Sequence, residues 1–265
     1  MSEATGCANC GRAIDGPAQK FCPACGQATP AHRIDWHFML HEFEHSVLHM
    51  DRGILYSLKE LMLRPGRLMR DYLEGRRARQ AKPFLLLMVM AAVIVFLGKL
   101  LFDGHLVESS LPAFYSGGMS PGAEAEAVQV ALANGLATVS AWMNRNYAVW
   151  TLLLIPVEAL ALRLAFFGVR RLNYPEWLVI TAFLTVQMFV FWGLAMPLQR
   201  WFPSAASVAL GVAFCYGVYS LVQLFGGYPR WKSVLRALVG FGAFGLIGGL
   251  LTIALALVLA VLQLR

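Results

Sequence analysis

Charged residues are scarce in this sequence: Asp, Glu, Lys and Arg make up only 14% of its 265 residues. A soluble globular protein carries about 25%, so an ordinary soluble domain is excluded as the bulk of the chain. The hydrophobic fraction is correspondingly high, at 58%. Most of the chain is therefore expected to lie in a membrane.

Several functional signals are also missing. The first 33 residues are polar and contain Cys, Gly and Pro, with no apolar run of the kind that opens a secretory signal. Nucleotide-binding, dinucleotide-binding and Gly-x-Ser-x-Gly patterns do not occur. We therefore expect an N-terminus that is not exported by a cleaved signal. The missing motifs favour a non-enzymatic protein but leave an enzyme open.

Three zones are present: a Cys/Gly/Pro-rich module (1–33), an apolar and basic stretch (34–82) and a membrane domain (83–265). A helix of about 20 apolar residues crosses a hydrocarbon core of about 30 Å. Runs of this kind predict spans at 83–102, 147–167, 177–198, 205–225 and 234–262. The predicted fold is an all-α integral membrane protein with five transmembrane helices, a small N-terminal zinc ribbon and an amphipathic interfacial helix.

The basic residues predict an orientation. Of the 22 Lys and Arg residues, 12 precede the first predicted span, whereas the predicted loop 103–146 contains Arg145 alone. Later loops continue to alternate between basic and poor in basic residues. Because cytoplasmic loops are enriched in Lys and Arg, the pattern predicts five spans with a cytoplasmic N-terminus and an outside C-terminus.

The cysteines predict a metal site. Two C-x-x-C pairs precede the membrane domain, each followed by a glycine suited to a positive φ, and their thiols are Cys7, Cys10, Cys22 and Cys25. In a reducing cytosol this spacing favours structural Zn²⁺, with disulfides or redox thiols as the alternative. Few basic residues accompany the module, which argues against nucleic acid and favours a protein partner.

Residues 34–62 predict an amphipathic interfacial helix. Four histidines recur every four residues along it, at His37, His41, His45 and His49. His41, Glu42 and His45 also match the H-E-x-x-H motif of zinc hydrolases. Three interpretations stay open: a polar interfacial face, a metal-binding or pH-sensing face, and a hydrolase site with Glu42 as general base.

A basic stretch precedes the first predicted span. It suits anionic lipid headgroups, or it is a positive-inside signal alone. Its members are Arg64, Arg67, Arg70, Arg76, Arg77, Arg79 and Lys82.

The order of these parts resembles an uncharacterised bacterial family, domain of unknown function 3667. The resemblance is carried by the C-x-x-C-G and F-C-x-x-C-G-Q elements, the histidine helix, and three further elements at Asp51–Gly53, Leu61–Gly66 and Tyr72–Pro83. It covers roughly residues 7–100. It implies a bacterial membrane protein with a zinc ribbon, and hence an inner-membrane location, but it implies no activity.

Polar and small residues inside the predicted spans suggest further contacts. Glu158 lies near the middle of the second span, where a carboxyl group is costly. We expect Gln187 and Gln223 to hydrogen-bond it, either in a packing role or at a proton- or substrate-coupled site. The Gly245–Gly249 pair permits close helix approach, within the chain or in a homo-oligomer.

Three functions follow from the sequence. The first is a non-enzymatic scaffold or regulatory protein whose zinc ribbon binds a protein partner. The second is a transporter-like protein for a small solute or lipid that uses Glu158. The third is a membrane metallohydrolase that uses His41, Glu42 and His45.

Overall fold

The computed structural model describes residues 6–16, 19–40, 53–103 and 123–263, and its regular structure is almost entirely helical. Residues 36–40 are helical, and eight longer helices follow. They are α1 (Ile54–Leu63), α2 (Pro65–Leu73), α3 (Pro83–Phe102), α4 (Ala123–Arg145), α5 (Tyr147–Ala165), α6 (Tyr174–Ala195), α7 (Ala205–Leu224) and α8 (Arg230–Gln263).

Five of these helices are long and apolar enough to cross a membrane. They are α3, α5, α6 with the 3₁₀ turn Pro197–Arg200 that extends it, α7 and α8. The prediction of five transmembrane helices is therefore confirmed, with boundaries that differ from the predicted ones by a few residues. The chain is a multi-pass membrane protein.

Helix α6 forms the centre of the bundle. In its apolar segment 72% of the residues are buried, compared with 6% in α8. It packs against α3, α5 and α7. The large apolar side chains that remain exposed on the outer helices, such as Phe96, Leu153 and Leu250, suit a lipid environment because lipid tails are as apolar as they are.

Part of the predicted loop 103–146 is a helix. Helix α4 has 23 residues and packs along α8. The contact is close at Gly135, where a Cβ would overlap the carbonyl oxygen of Ala256. The sequence did not indicate this helix because its apolar content is below that of a span, so packing against α8 rather than hydropathy explains it.

The predicted helix over 34–62 is interrupted. Residues 36–40 are helical, but α1 begins only at Ile54, with Gly53 as its N-cap. A Cβ at Gly53 would lie 2.7 Å from the carbonyl oxygen of Arg79, so glycine permits a close backbone approach there. Leu55 and Leu63 of α1 are exposed, which suits a membrane interface, and the interfacial role stays a prediction.

Helices α1 and α2 form a hairpin that packs against α6 and α7. The carbonyl oxygen of Leu61 accepts from the Gln187 amide at 3.2 Å, and that of Met62 accepts from the Tyr216 hydroxyl at 2.8 Å. Both donors lie within membrane-spanning helices. The hairpin is thus an integral part of the bundle and not only a surface element.

The basic segments meet at one end of the bundle. Arg33 donates to the carbonyl oxygen of Arg171 at 2.6 Å, and Arg236 donates to the carbonyl oxygens of Ala165 and Phe167 at 2.9 Å each. Arg70 caps the end of α7 in the same way. The cysteine module lies at this end.

Candidate functional site

The two C-x-x-C pairs form matching turns. In the first, the backbone N–H of Cys7 donates to Arg12 and that of Gly11 donates to Cys7, each at 2.8 Å; Cys22, Gln27 and Gly26 repeat the pattern at 2.8 Å. Gly11 and Gly26 have φ values of +76° and +72°, which confirms the requirement for glycine. One isolated β-bridge closes each turn.

The turns bring the four thiols to one point. All four Sγ atoms lie within 4.8 Å of one another, and the Cys7–Cys25 and Cys10–Cys22 pairs are 3.6 Å apart. A tetrahedral ion with Zn–S bonds of about 2.3 Å would separate its sulfurs by about 3.8 Å. None of the four cysteines is in a disulfide, so the cluster can hold a metal ion.

The thiols perturb one another in opposite directions. Burial raises the pKa of Cys25, but hydrogen bonds from the Asn9 side chain and the Gln27 backbone outweigh it and lower the pKa to about 6. A backbone hydrogen bond at Arg12 lowers the pKa of Cys10, yet hydrogen bonds with Cys22 and the other thiols, together with burial, raise it to about 11. Such crowded thiols cannot all ionise easily without a cation, and a divalent ion would supply that charge.

An ion pair holds the cysteine module to α6. The Arg33 guanidinium donates from Nε to Glu176 Oε1 at 2.7 Å and from an Nη to Oε2 at 2.9 Å, and Glu176 raises the pKa of Arg33 by this hydrogen bond and by its charge. Asn173 caps α6 and donates to the carbonyl oxygen of Ile34 at 2.6 Å. The start of α6 is thus both a helix cap and a docking site.

Sequence reasoning missed Arg33, Asn173 and Glu176. The signal that could have located the helix start is the capping box: Asn173 accepts from the Glu176 backbone at 2.8 Å, and Glu176 accepts from the Asn173 backbone at 2.7 Å. That pattern is readable in sequence as Asn-x-x-Glu before an apolar run. The contacts that Glu176 and Asn173 make with residues 33 and 34 have no local signature in the sequence.

A second set of contacts joins the module to the segment before α3. The Gln27 side-chain oxygen accepts from the Arg77 backbone at 2.9 Å. The Arg77 guanidinium donates to the Tyr72 carbonyl at 2.9 Å and to the His32 carbonyl at 3.3 Å, and it lies 4.4 Å from the centre of the Phe38 ring. The module is therefore fixed at two separate points.

Residues 51–95 match the family model described as protein of unknown function, DUF3667.

The match confirms the resemblance over that segment, which spans α1, α2 and the first part of α3. No curated protein and no solved structure matches the chain. The DUF3667 segment thus contains the hairpin that packs against α6 and α7 and the connection that docks the cysteine module.

The elements behind the DUF3667 resemblance pack closely against other parts of the chain. A Cβ at Gly66 would lie 2.5 Å from the backbone carbon of Gln223, and one at Gly75, whose φ is +88°, would lie 2.8 Å from the Cβ of Ala31. Tyr72 is fully buried, with its ring edge-on to Phe183. These positions serve packing and docking.

The histidine helix is only partly described. His37 is exposed, whereas His41, Glu42, His45 and His49 lie outside the described residues. The metal-binding, pH-sensing and hydrolase interpretations stay predictions.

Several members of the basic stretch have partners within the chain. Arg70 donates to the carbonyl oxygens of Gln223 and Leu224 at 2.6 and 3.1 Å. Arg76 pairs with Asp71 at 2.6 Å, and Arg77 docks the cysteine module. Arg64, Arg67 and Arg79 are exposed, and Arg67 lies 3.7 Å from Asp71 in an exposed ion pair. Headgroup binding by these three residues and by Lys82 stays a prediction.

Glu158 lines a cavity of about 420 Å³ between α5, α6, α7 and α8. It is 8% exposed. The expected bonds to Gln187 and Gln223 are not formed: Gln187 bonds Ser220 and Leu61, and Gln223 bonds Gly66 and Tyr219. Both amides instead bond to the α1–α2 hairpin and to side chains of α7. The side chain of Thr185 lies beside Glu158, but its hydroxyl donates to the carbonyl oxygen of Thr181 at 2.9 Å.

The glycines of α8 fall into two groups. Gly240 packs against α5, where a Cβ would lie 2.6 Å from Leu162. A Cβ at Gly245 or Gly249 would meet nothing within 4 Å. Cys215 lies at an exposed position on α7. The Gly245–Gly249 pair is therefore not used for packing among the described residues, and its role in a homo-oligomer stays a prediction.

Proposed function

We propose that the chain is a non-enzymatic regulatory or scaffold protein of the bacterial inner membrane, with a cytoplasmic Zn²⁺ module that binds a protein partner. The observation that carries this proposal is the closed four-cysteine cluster on a module that Arg33 and Arg77 fix to the membrane bundle. A site with four protein ligands has no open position for catalysis, so its role is structural.

The orientation is supported by the meeting of basic segments at the module's end of the bundle. Arg33, Arg70, Arg171 and Arg236 all lie there, whereas α3 and α4 end with single basic residues, Lys99 and Arg145. Retention of basic residues on the cytoplasmic side then leaves the module inside and, with five spans, the C-terminus outside.

An exposed aromatic side chain supports the protein-binding role. Phe21 directly precedes the second cysteine pair and is 64% exposed. The nearby residues Arg12 and Lys20 are too few to form a phosphate-binding surface. A large apolar side chain on a rigid, metal-fixed turn is a suitable anchor for a partner protein.

Metal analysis of the purified chain tests the zinc site. We expect one zinc per chain, lost in Cys7→Ser and retained in the matched control Cys215→Ser. Chelation should also expose the module to trypsin while the five-span bundle stays folded, because the metal supplies most of the stability of so small a module. Retention of zinc by Cys7→Ser, or disulfides in place of metal, would contradict the proposal.

Affinity capture with the full chain tests the partner. A specific co-purifying protein should be lost in Phe21→Ala and in Cys7→Ser, and retained in Lys20→Ala, which leaves both the metal ligands and the aromatic anchor in place. Capture that is equal from all four proteins would count against a role for this surface.

A second candidate function is supported by the Glu158 cavity. Buried ionisable groups inside membrane proteins commonly mark transport or proton pathways. In that case the chain is transporter-like, for a small solute or lipid, and Glu158→Gln abolishes its cellular activity while Glu60→Gln, outside the cavity, does not. Normal activity of Glu158→Gln would exclude this function.

A further inference from the structure

The cavity at Glu158 extends along much of α5. Its lining runs from Tyr147 to Glu158 on that helix, a distance of about 16 Å at 1.5 Å per residue. Its volume of about 420 Å³ lies in the range of about 300–1,000 Å³ that holds small organic ligands. The space is therefore large enough for a molecule rather than a single water or ion.

The charge of the lining is unbalanced. Glu158 is the one acidic residue among the described residues that line the cavity, and none of them is Lys, Arg or His. Its neighbour Thr185 carries no charge. A carboxylate in a membrane interior is costly unless a cation accompanies it, so the cavity favours a positively charged occupant and disfavours an anion.

Aromatic side chains make up much of the wall. A cation is attracted to the face of an aromatic ring, most strongly when water is excluded. Six such side chains line the cavity: Tyr147, Trp150, Trp192, Phe214, Phe241 and Phe244. Carboxyl and hydroxyl oxygens are few by comparison, so the wall does not offer the six or more oxygen ligands that a Ca²⁺-like ion requires.

Trp192 provides an independent indication of an unused polar group. It is 4% exposed, and its indole N–H has no hydrogen-bond partner in the structure. Buried indole N–H groups usually find a partner. The N–H itself is buried rather than open to the cavity, so the carboxyl group and the six aromatic side chains are what give the wall the composition of a binding site.

We propose that this cavity binds a lipophilic organic cation, a monovalent ammonium- or phosphonium-like molecule with apolar substituents. Glu158 neutralises the charge, the aromatic side chains contact the substituents and the cationic centre, and the apolar walls replace lipid. The proposal deepens the second candidate function by naming its ligand class. A neutral acyl chain would gain nothing from the Glu158 charge.

Two probes of nearly equal shape test the charge requirement. Methyltriphenylphosphonium is a cation, and triphenylphosphine oxide carries the same three phenyl groups without a net charge. Binding of each is measured on the purified full chain in lipid nanodiscs, with empty nanodiscs subtracted. We expect saturable binding of the cation at least about tenfold tighter than that of the oxide, the factor that one charge-assisted contact supplies.

Three variants locate the site. Glu158→Gln should weaken cation binding by about tenfold or more, and Glu60→Gln should leave it unchanged. Ala213→Phe fills the cavity from α7 without touching the carboxyl group, so it should reduce binding of both probes. If Glu158→Gln does not fold, the comparison of the two probes and the Ala213→Phe variant decide the question.

Equal affinity for the two probes, or unchanged cation binding by Glu158→Gln or by Ala213→Phe, would overturn the proposal. These results are separable from the transport test. Loss of cellular activity in Glu158→Gln without cation binding would remove the ligand class and leave the transport function. Cation binding at Glu158 with unchanged cellular activity in Glu158→Gln would support the ligand class and exclude the transport function.

Discussion

Arg33 and Glu176 show how much one pair of side chains contributes to holding the cysteine module. Glu176 has a side chain only 5% exposed, whereas that of Arg33 is 60% exposed. Arg33→Ala would leave the buried carboxylate with the Asn173 backbone but without its cation. We expect a loss of about 1–3 kcal/mol in the free energy of docking, measured as faster cleavage by chymotrypsin between the module and α1, since the substitution itself removes a tryptic site.

Two controls accompany that prediction. Arg33→Lys retains the charge but not the two-pronged guanidinium contact, so it should fall between wild type and Arg33→Ala. Arg12→Ala removes an exposed guanidinium on the module itself and should be neutral. Equal cleavage rates for Arg33→Ala and wild type would show that the ion pair does not hold the module.

Gly66 provides a second prediction for a single residue. Its missing Cβ would lie 2.5 Å from the backbone carbon of Gln223, and backbone atoms of α7 cannot move aside as a flexible side chain can. Gly66→Ala should therefore separate α2 from α7 and destabilise the protein by about 1–3 kcal/mol, detected as a lower melting temperature in detergent.

Gly242 is the matched control, because a Cβ there meets nothing within 4 Å. Gly242→Ala lies in a helix interior and should be neutral or stabilising by about 0.5–1 kcal/mol. The two substitutions add the same methyl group, so opposite changes in melting temperature would show that the close contact decides the effect. Equal changes would contradict the role of Gly66.

The four cysteines and Glu176 mark what a sequence can and cannot show about individual residues. The cysteines are identified by spacing, because each C-x-x-C turn is local and its ligand geometry is fixed within five residues. The partner of Arg33 lies 143 positions away. Only the packing of the whole bundle brings the two together, and no local pattern encodes that distance.

Helices also differ in whether the sequence alone predicts them. The five spans were predictable because each satisfies the bilayer by its own length and composition. Helix α4 was not, since its stability comes from contact with α8. The packing of the α1–α2 hairpin against α6 and α7 was not predicted either. In both cases the decisive contacts involve small residues, Gly135 and Gly66, whose significance depends on what lies opposite.

The contact between α4 and α8 yields a prediction for an element. Because Gly135 lies against the Ala256 backbone, Gly135→Leu should displace α4 while leaving the five spans in place. In a chain with Cys215→Ser, a thiol placed at the buried position Val139 should react slowly with a maleimide, and faster once Gly135→Leu is added. A thiol at Thr138, an exposed residue of α4, should react equally with and without Gly135→Leu. An unchanged rate at position 139 would mean that the contact at Gly135 does not hold α4 against α8.

At the scale of the whole molecule, the bundle separates charge along the membrane normal. The ends of α5 and α7, the starts of α3, α6 and α8, and the cysteine module all meet on the basic side. The acidic residues Glu176 and Glu74 that lie there are paired with Arg33 and Arg76. The net charge of this side is therefore positive, which is the arrangement expected of a cytoplasmic face.

This charge separation predicts the topology. A reporter that fluoresces only in the cytoplasm should be active when fused after residue 172 or 228, and a reporter active only outside should work after residue 203 and at the C-terminus. The reason is that reversal would carry Arg170, Arg171, Arg230, Lys232 and Arg236 across the bilayer together with the cysteine module. With five spans, a cytoplasmic signal from the C-terminal fusion would mean that the whole protein is reversed. The cysteine module would then lie outside the reducing compartment in which four free thiols are stable, so a reversed protein should also lack the metal.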